Sequence, residues 1–190
     1  MSQQPELHPD LESILYSRQQ LQTAIAELGK RISQDYAGKS PFMICILKGA
    51  SVFFCDLIRQ VNLPVEIDFM ATSSYGASTV SSGEVKLAKD LDRSILGRDV
   101  LLVEDIVDSG MTLNYLKKTL AERGAASLRI VSLLDKPSRR TAPLTVDYTC
   151  FQIPDAFVVG YGLDYNEQYR NLPDIGILSP RIYAPGKEEA

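Results

Sequence analysis

The chain contains two uninterrupted apolar runs that are each followed by a helical pattern, and this order restricts its possible folds more than any other feature. The first run, residues 42–47, precedes a helix expected over residues 52–59. The second, residues 100–103, precedes a helix expected from about Thr112 to Gly124. A strand that is apolar at every position is buried on both faces, which is typical of parallel strands covered by helices. The pattern therefore predicts an α/β fold with a mostly parallel central sheet.

Weaker patterns extend the same alternation of strands and helices. Apolar residues at helical spacing predict an amphipathic helix near the N-terminus, and an alternating segment predicts a half-exposed strand. The 190 residues suffice for one domain with a substantial core, so we expect a single domain over residues 1–190. The additional elements are a helix marked by Leu21, Ile25, Leu28 and Ile32, and strands over residues 65–69, 128–134 and 157–159.

The composition excludes several classes of active site and partner. The chain has one histidine, His8, and three cysteines without a CxxC pair, so histidine-based catalytic triads and zinc sites are disfavoured. Its net charge of −4 gives no basic footprint for a nucleic acid, and no apolar run is long enough to span a membrane. The cysteines are typical of a reduced cytoplasmic protein. Proton chemistry must therefore rest on carboxylates, lysines or tyrosines.

The polar segment from Ser73 to Gly83 has almost no apolar side chains to hold it to a core. Its composition favours an exposed loop. A mobile lid that closes over a ligand is the functional alternative, because long polar loops in compact domains are often functional. The segment alone does not decide between them.

A cluster of acids follows the second apolar run. Glu104 and Asp105 come at the end of that strand, and Asp108 follows in a turn that contains Ser109 and Thr112. Such a turn can direct backbone N–H groups, hydroxyls and a helix N-terminus at a phosphate, while the carboxylates suit sugar hydroxyls or Mg2+. The alternative is a helix cap at Asp108 and a solvated acidic pair. Three acids at the carboxyl end of a strand favour a ligand site.

Two other phosphate-binding motifs fail on spacing. No GxxxxGK[ST] sequence occurs, and the dinucleotide-like start Gly160-Tyr161-Gly162 has Tyr165 in place of its third glycine. A P-loop kinase and an NAD-binding Rossmann domain are both disfavoured.

Residues 103–112, VEDIVDSGMT, resemble the phosphoribosyl pyrophosphate motif of type I phosphoribosyltransferases. Further segments are similar to the hypoxanthine-guanine branch of that family in its bacterial form, and the resemblance extends from about Ile14 to Tyr183. These segments are LKGA at 47–50, SSYG at 73–76, LLDKP at 133–137 and the block at 153–170.

The resemblance implies a type I phosphoribosyltransferase fold with a small hood formed largely by residues 150–183 and a mobile lid at about residues 73–88. It implies an enzyme of purine salvage that joins a 6-oxopurine to the ribose 5-phosphate of phosphoribosyl pyrophosphate. Mg2+ is the implied cofactor, and a homodimer or homotetramer the implied assembly. Membrane and nucleic-acid partners are not expected.

The resemblance also implies roles for residues at the sugar-phosphate end. Glu104 and Asp105 would hold the ribose hydroxyls directly or through Mg2+, and Asp164 would hold a second Mg2+. The remaining residues would bind the 5-phosphate (Ser109, Gly110, Met111 and Thr112), face pyrophosphate (Lys48, Gly49 and Arg170) or lead the lid (Ser74 and Tyr75).

At the purine end the resemblance implies that Asp108 is the general base near N7, and that Lys136 donates a hydrogen bond to O6. Phe157 would stack on the ring, Leu163 would form an apolar wall, and Val158 would offer its backbone groups. Without the resemblance, Lys136 would be interpreted as a solvated lysine and Phe157 as a core residue.

Two alternatives remain open at this stage. One is a transferase that prefers xanthine or guanine. The other is a regulator with this fold that binds nucleic acid, which should carry a basic face or an added DNA-binding domain. The net charge of −4 disfavours the regulator, and the cluster at residues 136–140 is too short to supply a basic face.

Overall fold

The computed structural model describes residues 7–74 and 85–184. The strands are β1 (Leu11–Tyr16), β2 (Phe42–Leu47), β3 (Glu66–Ser74), β4 (Val85–Lys89), β5 (Asp99–Val107), β6 (Ser127–Asp135), β7 (Tyr148–Gln152), β8 (Val158–Val159) and β9 (Ile175–Leu178). The helices are α1 (Arg18–Asp35), α2 (Ser51–Ile58), α3 (Met111–Glu122) and α4 (Pro180–Tyr183), with a 3-10 helix at Pro137–Arg139.

The main sheet has six strands in the order β4-β3-β2-β5-β6-β7. Every neighbouring pair from β3 to β7 is parallel, and only β4 runs antiparallel, against β3. The predicted α/β fold with a mostly parallel sheet is confirmed. The parallel arrangement places the carboxyl ends of β2, β5 and β6 at one edge, where ligands bind in such sheets.

Helices cover both faces of this sheet, because its central strands are apolar at alternate positions on each side. Met43 and Cys45 of β2 face the core beneath α1 and α2. Phe42 and Ile44 face the opposite core, beneath α3. Helix α1 begins after Ser17, which forms a capping box with Gln20 and satisfies free N–H groups of the first turn.

A second, smaller sheet has the order β1-β9-β8, with both pairs antiparallel. Strands β8 and β9 come from the segment that the sequence assigned to the hood. Strand β1 was not anticipated, because its sequence LESILY lacks a regular alternation of polar and apolar residues. Leu11 of β1 is buried with Val159 and Leu178, so the N-terminal strand completes this layer.

Several boundaries differ from the predicted ones. Strand β5 continues to Val107, so Glu104 and Asp105 lie within the strand rather than after it. Strand β7 has no counterpart in the sequence analysis, and α3 begins one residue before the expected Thr112. Strand β4 occupies part of the segment that the sequence assigned to the lid. The lid residues 75–84, including Tyr75, lie outside the described residues.

Among the described residues, no helix is both long enough and apolar enough to span a membrane. Cys45 is buried, Cys150 is partly buried and Cys55 is exposed, and all three are free thiols. Burial raises the pKa of the Cys45 and Cys150 thiols to about 12.

Candidate active site

A cavity of about 540 Å³ opens at the carboxyl edge of the main sheet, against the smaller layer. Residues from β5, from the segment after β6 and from the C-terminal block line it together. Of the predicted site residues, the lining includes Asp105, Asp108, Lys136, Phe157, Val158, Leu163 and Asp164. The lining residues that were not predicted are Ile106, Arg139, Asp155, Ala156 and Tyr183.

The turn between β5 and α3 presents a helix N-terminus without a side-chain cap. Gly110 occupies the N-cap position with φ 78°, a left-handed conformation that favours glycine. The Ser109 Oγ accepts only a long hydrogen bond from Met111 N, at 3.4 Å. The first N–H groups of α3, including that of Thr112, therefore remain available for an anion. Asp108 precedes the cap, so the interpretation of Asp108 as the N-cap is wrong.

The backbone of this turn is held by the segment that follows β6. The carbonyl oxygen of Ser109 accepts hydrogen bonds from Thr141 N at 3.1 Å and Ala142 N at 3.0 Å. Arg140 donates from Nε to the carbonyl oxygen of Asp108 at 3.2 Å and is ion-paired with Asp135. The backbone of the turn is consequently held in place by the protein itself.

The acidic pair in β5 is electrostatically strained. Burial raises the pKa of Glu104, and the neighbouring Asp105 carboxylate raises it further. Burial also raises the pKa of Asp105, although the N–H of Ile106 donates to its Oδ1 at 2.7 Å and the Arg170 guanidinium opposes the shift. Two carboxyl groups in this position ionise together more readily when a cation lies beside them.

Gly49 lies directly against Asp105. A Cβ at Gly49 would overlap Oδ2 of Asp105, and a Cβ at Gly162 would overlap the carbonyl oxygen of Gly49. Gly162 also has φ +102°, so glycine is required there for both space and conformation. The peptide bond between Leu47 and Lys48 is cis. The loop after β2 is therefore packed between the acidic pair and the C-terminal block.

The basic residues predicted for pyrophosphate are paired with acids of the C-terminal block. Lys48 Nζ lies 2.9 Å from Glu167 Oε2, and this hydrogen bond lowers the pKa of Glu167. Arg170 lies 2.8 Å from Asp164 Oδ1 and donates to the carbonyl oxygen of Gly162 at 2.8 Å. Among the described residues, the buried Nε of Arg170 has no hydrogen-bond partner, so this guanidinium retains a free donor.

Two cavity-lining residues, Lys136 and Phe157, have the opposite burial to that usual for their residue types. Lys136 is only 7% exposed and donates from Nζ to the carbonyl oxygen of Ala156 at 2.7 Å. Phe157 is 37% exposed, with its ring stacked on Tyr183 at a centroid distance of 4.8 Å and edge-on to Tyr165 at 5.5 Å. The interpretations of Lys136 as solvated and Phe157 as core are therefore wrong.

Not every predicted site residue lines the cavity. Glu104 lies behind Asp105 and accepts from its N–H at 3.1 Å. Ser74 is the last residue of β3, and Tyr75 lies outside the described residues. The remaining predicted residues lie next to lining residues, either in contact with them or adjacent in the chain. They are Lys48, Gly49, Ser109, Gly110, Met111, Thr112 and Arg170.

The family model described as the phosphoribosyl transferase domain matches residues 13–166. The chain belongs to this phosphoribosyltransferase family. It is 53% identical over 174 residues to the hypoxanthine-guanine phosphoribosyltransferase of Bacillus subtilis (strain 168), covering 92% of this chain and 97% of that one.

Solved structures give the same assignment. A hypoxanthine phosphoribosyltransferase from Staphylococcus aureus is similar with a TM-score of 0.91 and 46% identity, over 96% of this chain and 100% of that one. A Trypanosoma cruzi hypoxanthine phosphoribosyl transferase is similar with a TM-score of 0.89 and 44% identity, over 95% of this chain and 97% of that one. That structure addresses the role of the C-terminal region of that enzyme in oligomeric state and enzymatic activity.

The five additional lining residues of this phosphoribosyltransferase carried different signals in the sequence. Ile106, Asp155 and Ala156 lie within motifs that were recognised, so their proximity to the site could have been inferred. Arg139 belongs to a short basic cluster whose sequence does not indicate a ligand site. Tyr183 had no signal, because only the packing of α4 brings it to Phe157.

Proposed function

We propose that this phosphoribosyltransferase acts in purine salvage. It transfers the 5-phosphoribosyl group from phosphoribosyl pyrophosphate to hypoxanthine or guanine and releases pyrophosphate. The observation that carries this proposal is one cavity lined by the carboxylate of Asp108, which lies two residues before an uncapped helix N-terminus, and by the buried Lys136. The names of its relatives support the same substrates.

We assign the sugar phosphate to the end of the cavity beside α3. The N–H groups from Ser109 to Thr112 bind the 5-phosphate, where the helix dipole favours negative charge. Glu104 and Asp105 hold the ribose hydroxyls, and their negative charge stabilises a ribose that becomes cationic in the transition state. Lys48, Gly49 and Arg170 face the pyrophosphate, which competes with Glu167 and Asp164 for the two cations.

We assign the purine to the end beside Phe157. The base stacks on the Phe157 ring and meets the apolar wall of Leu163, while the Val158 backbone binds its edge and Lys136 donates to O6. The N9–C1′ bond forms as the C1′–O bond breaks, and pyrophosphate leaves with that electron pair. Asp108 accepts the proton from N7, because the described residues place no histidine in the cavity.

The carboxylates fit Mg2+, which prefers oxygen ligands. Among the described residues, no group of three acidic, histidine or cysteine side chains is placed to hold an ion. We propose that Glu104 and Asp105 hold the ribose hydroxyls directly or through one Mg2+ that arrives with phosphoribosyl pyrophosphate, and that Asp164 holds a second Mg2+. When bound, Mg2+ neutralises charge on the leaving pyrophosphate.

We propose further that residues 1–190 form one domain, with a hood at residues 150–183 and a lid at residues 73–88. The smaller sheet supports the hood, whereas the lid is supported by sequence composition alone. A cytoplasmic location is supported by the three free cysteines. A homodimer or homotetramer is proposed from the family resemblance.

A panel of bases tests the function. With Mg2+ and phosphoribosyl pyrophosphate, kcat/KM for hypoxanthine and guanine should exceed that for adenine by well over tenfold. A preference for xanthine would identify the alternative transferase. No turnover of any 6-oxopurine, with sugar-phosphate binding intact, would contradict the proposed function and favour a regulator.

A further inference from the structure

Four charged side chains of alternating sign follow one another along the purine end of the cavity. Arg139 Nε lies 3.4 Å from Asp108 Oδ1, and Arg139 Nη1 lies 3.5 Å from Asp155 Oδ2. The other oxygen of Asp155, Oδ1, lies 4.0 Å from Lys136 Nζ. All four residues line the cavity. The row therefore connects the proposed general base to the proposed reader of O6.

The two oxygens of Asp108 lie in different surroundings. Oδ1 is covered by protein and accepts no hydrogen bond from any of the described residues, although Arg139 Nε is close to it. The side chain as a whole is 48% exposed, so its accessible area belongs to its other atoms. Oδ2 is consequently the oxygen that a purine in the cavity can reach.

The backbone that carries Arg139 is fixed. Arg139 ends the 3-10 helix at Pro137–Arg139, and its N–H donates to the carbonyl oxygen of Lys136 at 3.1 Å. Arg140, the next residue, binds the carbonyl oxygen of Asp108 and pairs with Asp135. The Arg139 side chain, which is 56% exposed, is thus directed towards Asp108 from a fixed point, and Asp155 holds its other edge.

We propose that Arg139 is a positioning residue for Asp108, held in place by Asp155. Arg139 attracts Oδ1 and so fixes the rotation of the carboxylate, which leaves Oδ2 directed at the N7 proton of the purine. The inference rests on the proposed function, because it presupposes that Asp108 takes that proton. It adds to that function an arginine that acts through the Asp108 carboxylate.

The test compares Arg139→Gln and Arg139→Lys with Arg93→Gln. Arg93 is an exposed arginine paired with Glu66 at 3.2 Å, and it does not line the cavity. Single-turnover rates with the enzyme in excess over hypoxanthine isolate the transfer step. Arg139→Gln should slow this step about fivefold, which corresponds to the upper end of the energies measured for exposed ion pairs. The Kd for phosphoribosyl pyrophosphate should not change. Arg139→Lys should restore part of the rate.

Arg139→Gln in an Asp108→Asn background distinguishes a failure of the role of Arg139 from a failure of Asp108 as the general base. Arg139→Gln should have no further effect there, because its action passes through the Asp108 carboxylate. An equal loss in both backgrounds, or a rate equal to that of Arg93→Gln, would overturn the role of Arg139. If Asp108→Asn alone retained the parental rate, the proposed general base would fail instead. Melting temperatures of all variants verify that each is folded.

Discussion

Two residues at the proposed purine site lie in environments opposite to those their side chains usually prefer. Lys136 is buried, and within the described part of the chain its Nζ donates to the carbonyl oxygen of Ala156. An ammonium has three donors, so this position leaves hydrogen-bonding capacity for a ligand. Phe157 is apolar, yet more than a third of its surface is exposed where it lines the cavity. Both exceptions fit the proposed function, in which a flat, oxygen-bearing purine occupies the space between these two side chains.

Lys136→Ala should relax the choice of base. A 6-oxo group accepts the hydrogen bond of the lysine, whereas the 6-amino group of adenine leaves that donor unpaired, at a cost of about 1–3 kcal/mol. The substitution should lower kcat/KM for hypoxanthine and guanine at least about tenfold and narrow the gap to adenine. The control is Lys118→Ala, at an exposed position of α3. Undiminished discrimination against adenine would assign recognition to the backbone around Val158.

Asp108→Asn should lower the rate of transfer by about 10²–10⁴-fold, the range expected on losing a general base. The Kd for phosphoribosyl pyrophosphate should change far less, because backbone N–H groups hold the phosphate. Asp92→Asn, at a side chain that is 77% exposed, controls for loss of a surface carboxylate. Single-turnover kinetics and a binding titration make the comparison, and near-parental turnover would refute the role.

At the scale of secondary-structure elements, the C-terminal helix α4 adds Tyr183 to the cavity lining beside Phe157. The N–H of Ser179, just before α4, donates to the carbonyl oxygen of Asp10, and Arg181 within α4 is ion-paired with Asp10 at 3.7 Å. These contacts tie α4 to the segment before β1. Tyr183 at the end of α4 is thereby stacked on Phe157, with an interplanar angle of 21°. The first and last described segments of the chain together support the aromatic wall.

Tyr183→Leu should raise the KM for the base by about three- to tenfold, since stacked aromatic pairs contribute about 0.5–1.5 kcal/mol beyond their buried area. The affinity for phosphoribosyl pyrophosphate should not change, because the turn before α3 is held by Thr141, Ala142 and Arg140 of the segment after β6. Tyr183→Phe keeps the ring and serves as the matched control. Equal KM values for the Leu and Phe variants would show that the stack does not support the base site.

At the scale of the whole molecule, two neighbouring acidic residues at the centre of the main sheet lower the stability of the unliganded protein when they are ionised. Glu104 and Asp105 lie side by side in β5, and burial raises the pKa of both. The folded chain therefore binds protons there more tightly than the unfolded chain does. The free energy of unfolding must therefore fall as the pH rises from the pKa of glutamate in the unfolded chain, about 4.3, to its raised pKa in the folded chain.

Glu104→Gln should therefore raise the melting temperature of the unliganded protein at pH 8, and this gain should shrink as the pH approaches about 5. Mg2+ with phosphoribosyl pyrophosphate should stabilise the parent more than the variant, because the ligand offsets the repulsion. Glu122→Gln, at an exposed position of α3, controls for the loss of one charge. Identical profiles of melting temperature against pH for the parent and Glu104→Gln would mean that ionisation of Glu104 does not destabilise the folded protein.

The sequence by itself determined the parallel sheet, its two covered faces and the turn after β5. Continuous apolar strands such as β2 can be satisfied only between two layers of helices, and the order of acids, small residues and helix is local along the chain. Glu104, Asp105 and Asp108 could be predicted as site residues because their chemistry and spacing are contained in one short segment.

Only the tertiary structure decided what the remote segments contribute. The partnership of β1 with β9, the stacking of Tyr183 on Phe157 and the ion pair of Arg139 with Asp108 join residues that are far apart in sequence. Periodicity describes how one element faces a core, but it carries no information on which distant element covers it. Contacts of this kind are selected by the packing of the folded chain, which is why Arg139 and Tyr183 line the cavity without any signal in the sequence.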